Sequence, residues 1–404
     1  NNIAVMINGM PVNDMENGSV YWSNWAGLSD VTSAMQVQRG LGSSKLATPS
    51  VGGTINIVTK SSDMKEGGSF SSGFGNGRNF KIQGSYNTGK LDNGLSASVL
   101  LSQTMGDGYI PGTQFEGSNY YIALGYSTKN DKHDFQFTVT GAPQWHDQRS
   151  TFITIAQYQQ YGSVSDPNIK YNSDWGMLKG EEYSFRTNFY HKPVASLNWD
   201  YKISDKMKLS TVVYGSWGRG GGSNGTGAIR GNRFFGDNLR KADGTINVDL
   251  IQNWNSGQTV SIPGTSGTST RGLIAGQFQN NNGTANNTTN GISKISSINS
   301  HNWYGGIVNL NTKLTDKLTL DFGIDARTYR GIHYQVLNDL LGGTTFNNLA
   351  GDVNNPNGLS NFQYATEPNL NPLWNTDYQK AINYNNDGLV KWFGAFTQLE
   401  YSTE

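Results

Sequence analysis

The sequence has no cysteine, little charge and no long apolar run. The absence of cysteine from 404 residues excludes disulfides, thiol catalysis and cysteine-bound zinc. Charged residues make up 15% of the chain, against roughly 25% in ordinary soluble domains, and 30 basic side chains balance 30 acidic ones. A zero net charge argues against nucleic-acid binding, which needs a basic excess. No apolar stretch reaches the roughly 18 residues of a transmembrane helix, which excludes such a helix.

Glycine (51 residues), polar residues and aromatics (12%) take the place of charge, and they are arranged with a period of two. In the segment 318–329, Phe322 and Ile324 alternate with Asp321 and Asp325. This period predicts a β-strand with one apolar and one polar face. A half-buried sheet of a soluble protein has the same pattern, so the number, length and connections of the strands must distinguish the two.

Ten alternating segments follow residue 63, each near the ~9–11 residues of a tilted membrane strand. Tight turns and long connections alternate between them, and loops of roughly 40 residues are rare in compact soluble domains. Short turns at one rim and long loops at the other are typical of membrane barrels. The sequence therefore predicts an all-β protein built on a transmembrane antiparallel β-barrel. The strands are expected near 67–76, 79–87, 94–104, 117–129, 133–142, 183–202, 207–218, 301–314, 318–330 and 388–404, and the long loops at 143–182, 219–300 and 331–387.

The first 60 residues differ in texture and contain ordered motifs. The segment VMINGMPVN (5–13) places the tight-turn dipeptide Asn8-Gly9 between two strand-like runs. The segment VQRGLGSS (37–44) is followed by SVGGTINIVTK (50–60), whose paired glycines allow a positive φ or a close backbone approach.

These motifs, in this order and directly before the first barrel segment, resemble the end of the plug domain of TonB-dependent outer-membrane receptors. The resemblance implies that residues 1–62 are the C-terminal part of the plug and 63–404 the first part of a barrel of about 22 strands. The chain would then be part of a longer polypeptide. The form of the second motif and the loops rich in Asn and Trp suggest a Bacteroidota-type receptor. The plug-motif residues are Gly9, Gly40, Gly52, Gly53, Asn56 and Lys60.

The resemblance also implies a function and a location. It implies active import of a nutrient (chelated metal, glycan, peptide or cofactor) across the outer membrane of a Gram-negative cell, powered by TonB and its inner-membrane energising complex. We expect no enzymatic activity, no resident cofactor or metal, and contact with outer-membrane lipids. A surface lipoprotein partner stays open. The alternative is a transporter-like barrel that serves as a structural or docking subunit of a larger outer-membrane complex. A passive porin is disfavoured, because an open lumen has no place for residues 1–60.

Arg39 matches the plug arginine that pairs with barrel glutamates in this family, so the resemblance predicts that Arg39 latches the plug. Its partners are expected largely beyond Glu404, and Asp321, Asp325 and Glu400 are the inward carboxylates of this chain that could serve. The residues expected on the luminal wall are Asp134, Asp321, Asp325 and Arg327.

Two clusters of aromatic and polar residues are candidates for ligand contact, because such residues suit sugars, peptides or a chelate. The alternative, which we favour for both clusters, is packing of the plug against the wall or of loops at the rim. The glycine-rich segment 220–225 matches a nucleotide-binding pattern but lacks a following helix, so we expect a loop there. The first cluster is Asp14, Glu16, Tyr21, Trp22 and Trp25, and the second is Trp145, His146 and Arg149.

Overall fold

The computed structural model describes residues 3–25, 28–40, 50–59, 64–348, 358–373 and 380–402. Lys60, Glu404 and the predicted boundary at residue 62 lie outside this set. No helix within these ranges is long and apolar enough to cross a membrane. The described helices are short: two α-helices, Ile155–Gln160 and Val248–Asn255, and three 3-10 helices, Trp22–Trp25, Leu28–Val31 and Asp237–Leu239.

A four-stranded sheet, here called the small sheet, is formed by residues before 60. Its strands lie in the order Met10–Pro11, Ile3–Ile7, Gly53–Val58 and Ala34–Arg39, and only the central pair is parallel. The turn predicted at Asn8-Gly9 is present. Both of its residues have positive φ, 50° and 80°, as a two-residue hairpin of the right twist requires.

The motif residues build the joints of the small sheet. Gly53 has φ 123°, and a Cβ there would clash with the carbonyl oxygen of Gln38 on the neighbouring strand. Asn56 accepts a hydrogen bond from the amide of Gly9 at 3.3 Å and donates one to Gln36 at 3.2 Å. The paired glycines therefore permit the close strand approach that the sequence predicts, and Asn56 ties the hairpin to the outer strand.

The main body is a twelve-stranded sheet, here called the large sheet, in which every neighbouring pair is antiparallel. This confirms the prediction of an all-β, antiparallel fold. The strands of the large sheet are Gly67–Gly75, Asn79–Asn87, Leu95–Gly106, Phe115–Ser127, His133–Gly141, Gln144–Asp147, Thr187–His191, Val194–Ser204, Met207–Gly227, Ile292–Lys313, Leu318–Asp339 and Ile382–Tyr401.

Burial in the large sheet is the reverse of burial in a soluble protein. Phe322 is 48% exposed and Ile324 is 41% exposed, whereas Asp321 and Asp325, which alternate with them, are 0% exposed. The same inversion recurs on other strands, where serine, threonine and glutamine are buried and leucine and phenylalanine are exposed. An apolar outer face and a polar inner face are the signature of a membrane-spanning barrel wall.

Four predicted strands extend further towards the long-loop rim than the sequence indicates, and one is broken. The four strands are Met207–Gly227, Ile292–Lys313, Leu318–Asp339 and Ile382–Tyr401. The predicted strand 183–202 is interrupted at residues 185–186, after the separate strand Glu181–Ser184, and again at Lys192 and Pro193, where the proline lacks the N–H that a ladder needs. Alternation marks only the part of a strand with unlike faces, so it misses extensions that are paired through the backbone alone.

The glycine run 220–225 was predicted as a loop, and this is wrong. It lies within the strand Met207–Gly227 and pairs with Ile292–Lys313. A Cβ at Gly221 would meet the carbonyl oxygen of Ser297, so glycine lets the two strands approach there. The run is therefore part of a paired strand of the wall, with few side chains, rather than a loop.

The long connections are not loose. They contain short strands and pack around their own core, at whose centre Trp254 and Phe185 are completely buried. The short strands form two hairpins and a three-stranded sheet. They are Trp175–Leu178 with Glu181–Ser184, Val260–Ser261 with Thr268–Ser269, and Gln279–Asn281 with Thr345–Asn347 and Leu359–Ser360.

The small sheet lies against the polar face of the large sheet. Val5, Ile7 and Ile57 pack in one buried cluster with Tyr214 and Trp303, which lie on two adjacent strands of the large sheet. Hydrogen bonds also join the small sheet to the large sheet on the tight-turn side. Gln136 Nε2 donates to the carbonyl of Thr59 at 2.7 Å, Tyr121 OH to the same carbonyl at 3.1 Å, and Asn198 Nδ2 to the carbonyl of Asn8 at 2.7 Å.

A charge on the outer face should destabilise the protein. We expect Phe322→Lys to lower the free energy of unfolding by about 2–4 kcal/mol, because an ammonium near the middle of a bilayer is poorly solvated. The measurement is urea unfolding of the protein folded into phospholipid vesicles. Val164→Lys is the matched control, since Val164 is 81% exposed in a long connection. Equal unfolding free energies for the two variants would contradict the assignment of the outer face.

Candidate ligand-binding site

A cavity of about 350 Å³ lies between the small sheet's loop 12–25 and the long-loop half of the large sheet. The strands Thr187–His191, Met207–Gly227, Ile292–Lys313 and Leu318–Asp339 form its wall. Polar side chains dominate the lining. The lining residues are Asp14, Glu16, Asn17, Tyr21, Ser23, Asn24, Asn188, Tyr190, Lys192, Gly221, Gly222, Ser297, Asn299, His301, Tyr329 and His333.

Asp14 organises the loop that closes one side of the cavity. Its Oδ1 accepts the amides of Glu16 and Asn17, each at 3.0 Å, and so fixes a tight turn. Its Oδ2 accepts a hydrogen bond from Tyr329 OH of the wall at 3.3 Å. The carboxylate therefore joins the loop to the large sheet and is itself satisfied by the protein.

Glu16 lies in a notch of the wall made by two glycines. Gly331 and Gly388 are register partners on adjacent strands. A Cβ at Gly331 would lie 2.7 Å from Glu16 Oε1, and one at Gly388 would lie closer still. His333 Nε2 lies 2.9 Å from Glu16 Oε2, and His333 Nδ1 lies 2.9 Å from Asn299 Oδ1. The notch exists because both side chains are absent, and the imidazole gives the carboxylate a partner there.

Lys192 lies at the strand break of the wall and is only 7% exposed. Its Nζ is 5.3 Å from the ring centre of Trp25 and 5.4 Å from that of Trp303. Both rings belong to the buried contact between the two sheets. The ammonium is thus positioned by cation–π contacts with Trp25, which precedes residue 60, and with Trp303 of the large sheet.

The structure separates the first predicted cluster. Asp14, Glu16 and Tyr21 line the cavity, with Tyr21 53% exposed. Trp22 is 55% exposed and does not line it, whereas Trp25 is 8% exposed and packs between the sheets. Three of the five residues therefore line the cavity, and Trp25 has the packing role that was the alternative.

The second predicted cluster lies apart from the cavity: Trp145 and His146 are in the large-sheet strand Gln144–Asp147, and Arg149 follows it. Trp145 packs against the buried cluster around Phe189. His146 Nδ1 lies 2.7 Å from Gln144 Oε1, and Arg149 donates to the carbonyl of Ile169 at 2.9 Å. None of the three predicted residues lines the cavity in the described part of the chain.

The residues predicted for the luminal wall lie on the polar face. Arg327 Nε donates to Asp325 Oδ1 at 2.9 Å, so these two residues pair with each other along one strand. Asn311 donates to Asp321 at 2.9 Å, and Ser127 donates to Asp134 at 2.7 Å.

Arg39 is exposed at the end of the outer strand of the small sheet. Within the described ranges no ion pair joins Arg39 to a carboxylate. Asp325 is engaged by Arg327, and Asp321 is bonded to asparagines of the neighbouring strand. Among the described contacts, neither Asp321 nor Asp325 is paired with Arg39, so the latch and its partner stay a prediction.

Sequence reasoning missed Lys192, His333, Gly331 and Gly388. Lys192 has one local signal, the following proline, which breaks the strand and leaves the lysine at the break. The glycines and His333 have none, because their role depends on a loop more than 300 residues earlier in the chain. Among the described residues, no group of three or more His, Asp and Glu side chains is arranged to hold a metal ion.

No protein-family model matches this sequence. No curated protein matches it either. The fold, in contrast, is similar to several solved structures. P. aeruginosa FpvA bound to heterologous pyoverdines has a TM-score of 0.52 at 10% identity, over 99% of this chain and 43% of that one. The FrpB iron transporter from Neisseria meningitidis has a TM-score of 0.50 at 11% identity, over 100% and 48%. The copper transporter OprC has a TM-score of 0.50 at 12% identity, over 83% and 40%.

This chain spans less than half of the length of each of those proteins. At such low identity the likeness concerns the fold alone. The described residues therefore have the fold of part of a plugged transmembrane β-barrel: an antiparallel wall, inverted in polarity, with a small sheet on its inner face.

Proposed function

We propose that the protein is a TonB-dependent transporter of the outer membrane that imports a small polar ligand through a plugged barrel. The observation that carries the proposal is the small sheet on the polar face of the wall, beside a polar cavity on the long-loop side. A blocked lumen does not allow free diffusion, so passage needs a movement of the plug. In this scheme the protein changes no covalent bond, and its work is selective binding and a gated displacement.

The cavity supports binding from the long-loop side. Its wall comes from four strands, and its other side from the loop that Asp14 shapes. A pocket of this size with several convergent polar groups is typical of a small-molecule site. A displacement of the loop 12–25 would also move the small sheet, because the loop directly follows the small-sheet strand Met10–Pro11. The form of the second motif and the loops rich in Asn and Trp support a receptor of the Bacteroidota type, and they leave a surface lipoprotein partner open.

Energised uptake is the test of this function. We expect deletion of the gene to abolish growth on, or uptake of, at least one member of a panel of ferric siderophores, oligosaccharides, peptides and cobalamin. We also expect a protonophore to stop that uptake, because a plugged barrel needs the proton-motive force, whereas a porin does not. Normal uptake of the whole panel after deletion, together with loss of another outer-membrane complex, would favour the docking-subunit alternative.

The neighbouring aromatics Tyr21 and Trp22 should differ in their effect on uptake. Both are about half exposed, but only Tyr21 lines the cavity. We expect Tyr21→Ala to raise the ligand concentration for half-maximal uptake by roughly three- to tenfold, which corresponds to the loss of one aromatic contact. Trp22→Ala is the matched control and should leave it unchanged. An equal loss in both variants would mean that the loop, rather than the cavity, contacts the ligand.

We also propose that Arg39 latches the plug by pairing with carboxylates of the wall. The outer strand of the small sheet supports this, because Met35 is 59% and Val37 is 60% exposed, and a wall that surrounds the plug would cover them. A guanidinium in such a dry contact needs carboxylates, and the pair is strong until water enters.

Removal of the latch should make the barrel leak. We expect Arg39→Ala to raise ion conductance in planar bilayers, with Arg39→Lys intermediate because lysine keeps the charge but loses the fork of donors. Arg233→Ala, in a long connection, is the control. Unchanged conductance and unchanged uptake in Arg39→Ala would leave Arg39 as an ordinary arginine without a sealing role.

A further inference from the structure

We propose that Lys192 is the anchor for an anionic oxygen group, a carboxylate or a phosphate, on the ligand of the cavity. This inference rests on the proposed function, because it assigns the charge of the ligand that the cavity takes. It starts from an imbalance among the charged groups that line the cavity.

Each other ionisable group of the cavity wall is satisfied by the protein. Asp14 accepts two amides and the hydroxyl of Tyr329. Glu16 is bonded to His333 in its glycine notch. His301 has Tyr190 OH 3.2 Å from Nδ1 and Ser216 Oγ 3.2 Å from Nε2. No free carboxylate therefore faces the cavity among the described residues.

Lys192 is the exception. Its side chain is only 7% exposed. Within the described ranges, its ammonium donates no hydrogen bond and has no carboxylate at ion-pair distance. The rings of Trp25 and Trp303 contribute only cation–π attraction, which is smaller than the desolvation penalty of a buried ammonium. The remaining open direction is the cavity, which Lys192 lines.

A buried ionisable residue inside a membrane barrel is costly, and it is best explained by a partner that the free protein lacks. An oxyanion accepts the ammonium's hydrogen bonds and neutralises its charge. The surrounding amides and hydroxyls, such as those of Asn24, Asn188 and Ser297, suit the polar remainder of such a ligand. The geometry thus favours an acidic polar ligand over a neutral or cationic one.

The two tryptophans provide the readout. Trp25 and Trp303 flank the ammonium, so intrinsic fluorescence of the detergent-solubilised protein should report occupancy. The probes are glucose, glucuronate and glucose 6-phosphate, which share a ring and differ in charge and in the anionic group. This equilibrium measurement needs neither TonB nor a membrane potential, so its failure is distinguishable from a failure of energised uptake.

We expect at least one of the two anionic probes to bind about tenfold or more tightly than glucose. Whichever anion binds more tightly identifies the group that the site takes. Lys192→Met should abolish the preference, and Lys192→Arg should keep it and guard against misfolding. Lys170→Met is the matched control, because Lys170 also lies over an aromatic ring, at 4.1 Å from that of Tyr109, but outside the cavity.

Three results would overturn the proposal. The first is equal affinity for all three probes. The second is no binding of either anion up to about 50 mM, beyond the range of a specific site. The third is a preference for anions that survives in Lys192→Met while Lys170→Met behaves as wild type.

Discussion

Backbone amides and carbonyls within a lipid layer have no water to bond, so each must find a partner in the protein. Antiparallel pairing meets this demand and leaves successive side chains on opposite faces. The apolar face then has to lie outside, and polar residues such as Asp321 and Asp325 are left inside, where they are 0% exposed. A polar inner face needs a polar or amphipathic filling, and the small sheet supplies it. The inversion of polarity thus determines both the wall and what can occupy the lumen.

The constraint also explains why the sequence predicts the wall well. Polar and apolar residues alternate wherever the two faces of a strand differ, and all ten predicted segments correspond to strands of the large sheet. The alternation stops where the two faces become alike. Near the long-loop rim, the strand Met207–Gly227 continues through a glycine run that has no alternation at all. The break at Lys192 and Pro193 is also missed, because apolar and polar residues still alternate on either side of it.

The site is predicted less completely, for a physical reason. Asp14, Glu16 and Tyr21 lie in one short loop, so their local composition indicates a contact surface. Their partners come from distant strands. The notch at Gly331 and Gly388 exists because neither glycine has a side chain. A sequence shows which side chains a segment has, but the register between strands decides which of them meet across a cavity. Lys192 is a further case, since only burial against two tryptophans makes its charge informative.

Besides the apolar packing, two kinds of hydrogen-bonded contact join the small sheet and its loop to the wall, one on the tight-turn side and one on the long-loop side. On the tight-turn side, backbone carbonyls of Asn8 and Thr59 accept hydrogen bonds from uncharged side chains of the wall. On the long-loop side, Asp14 and Glu16 are held through Tyr329 and His333, beside the ammonium of Lys192. An acidic ligand on Lys192 would place a third negative charge next to those two carboxylates and weaken their contacts by repulsion. The contacts of the two carboxylates would then respond to the ligand while the neutral ones do not, so the proposed binding would loosen the loop and leave the tight-turn side in place.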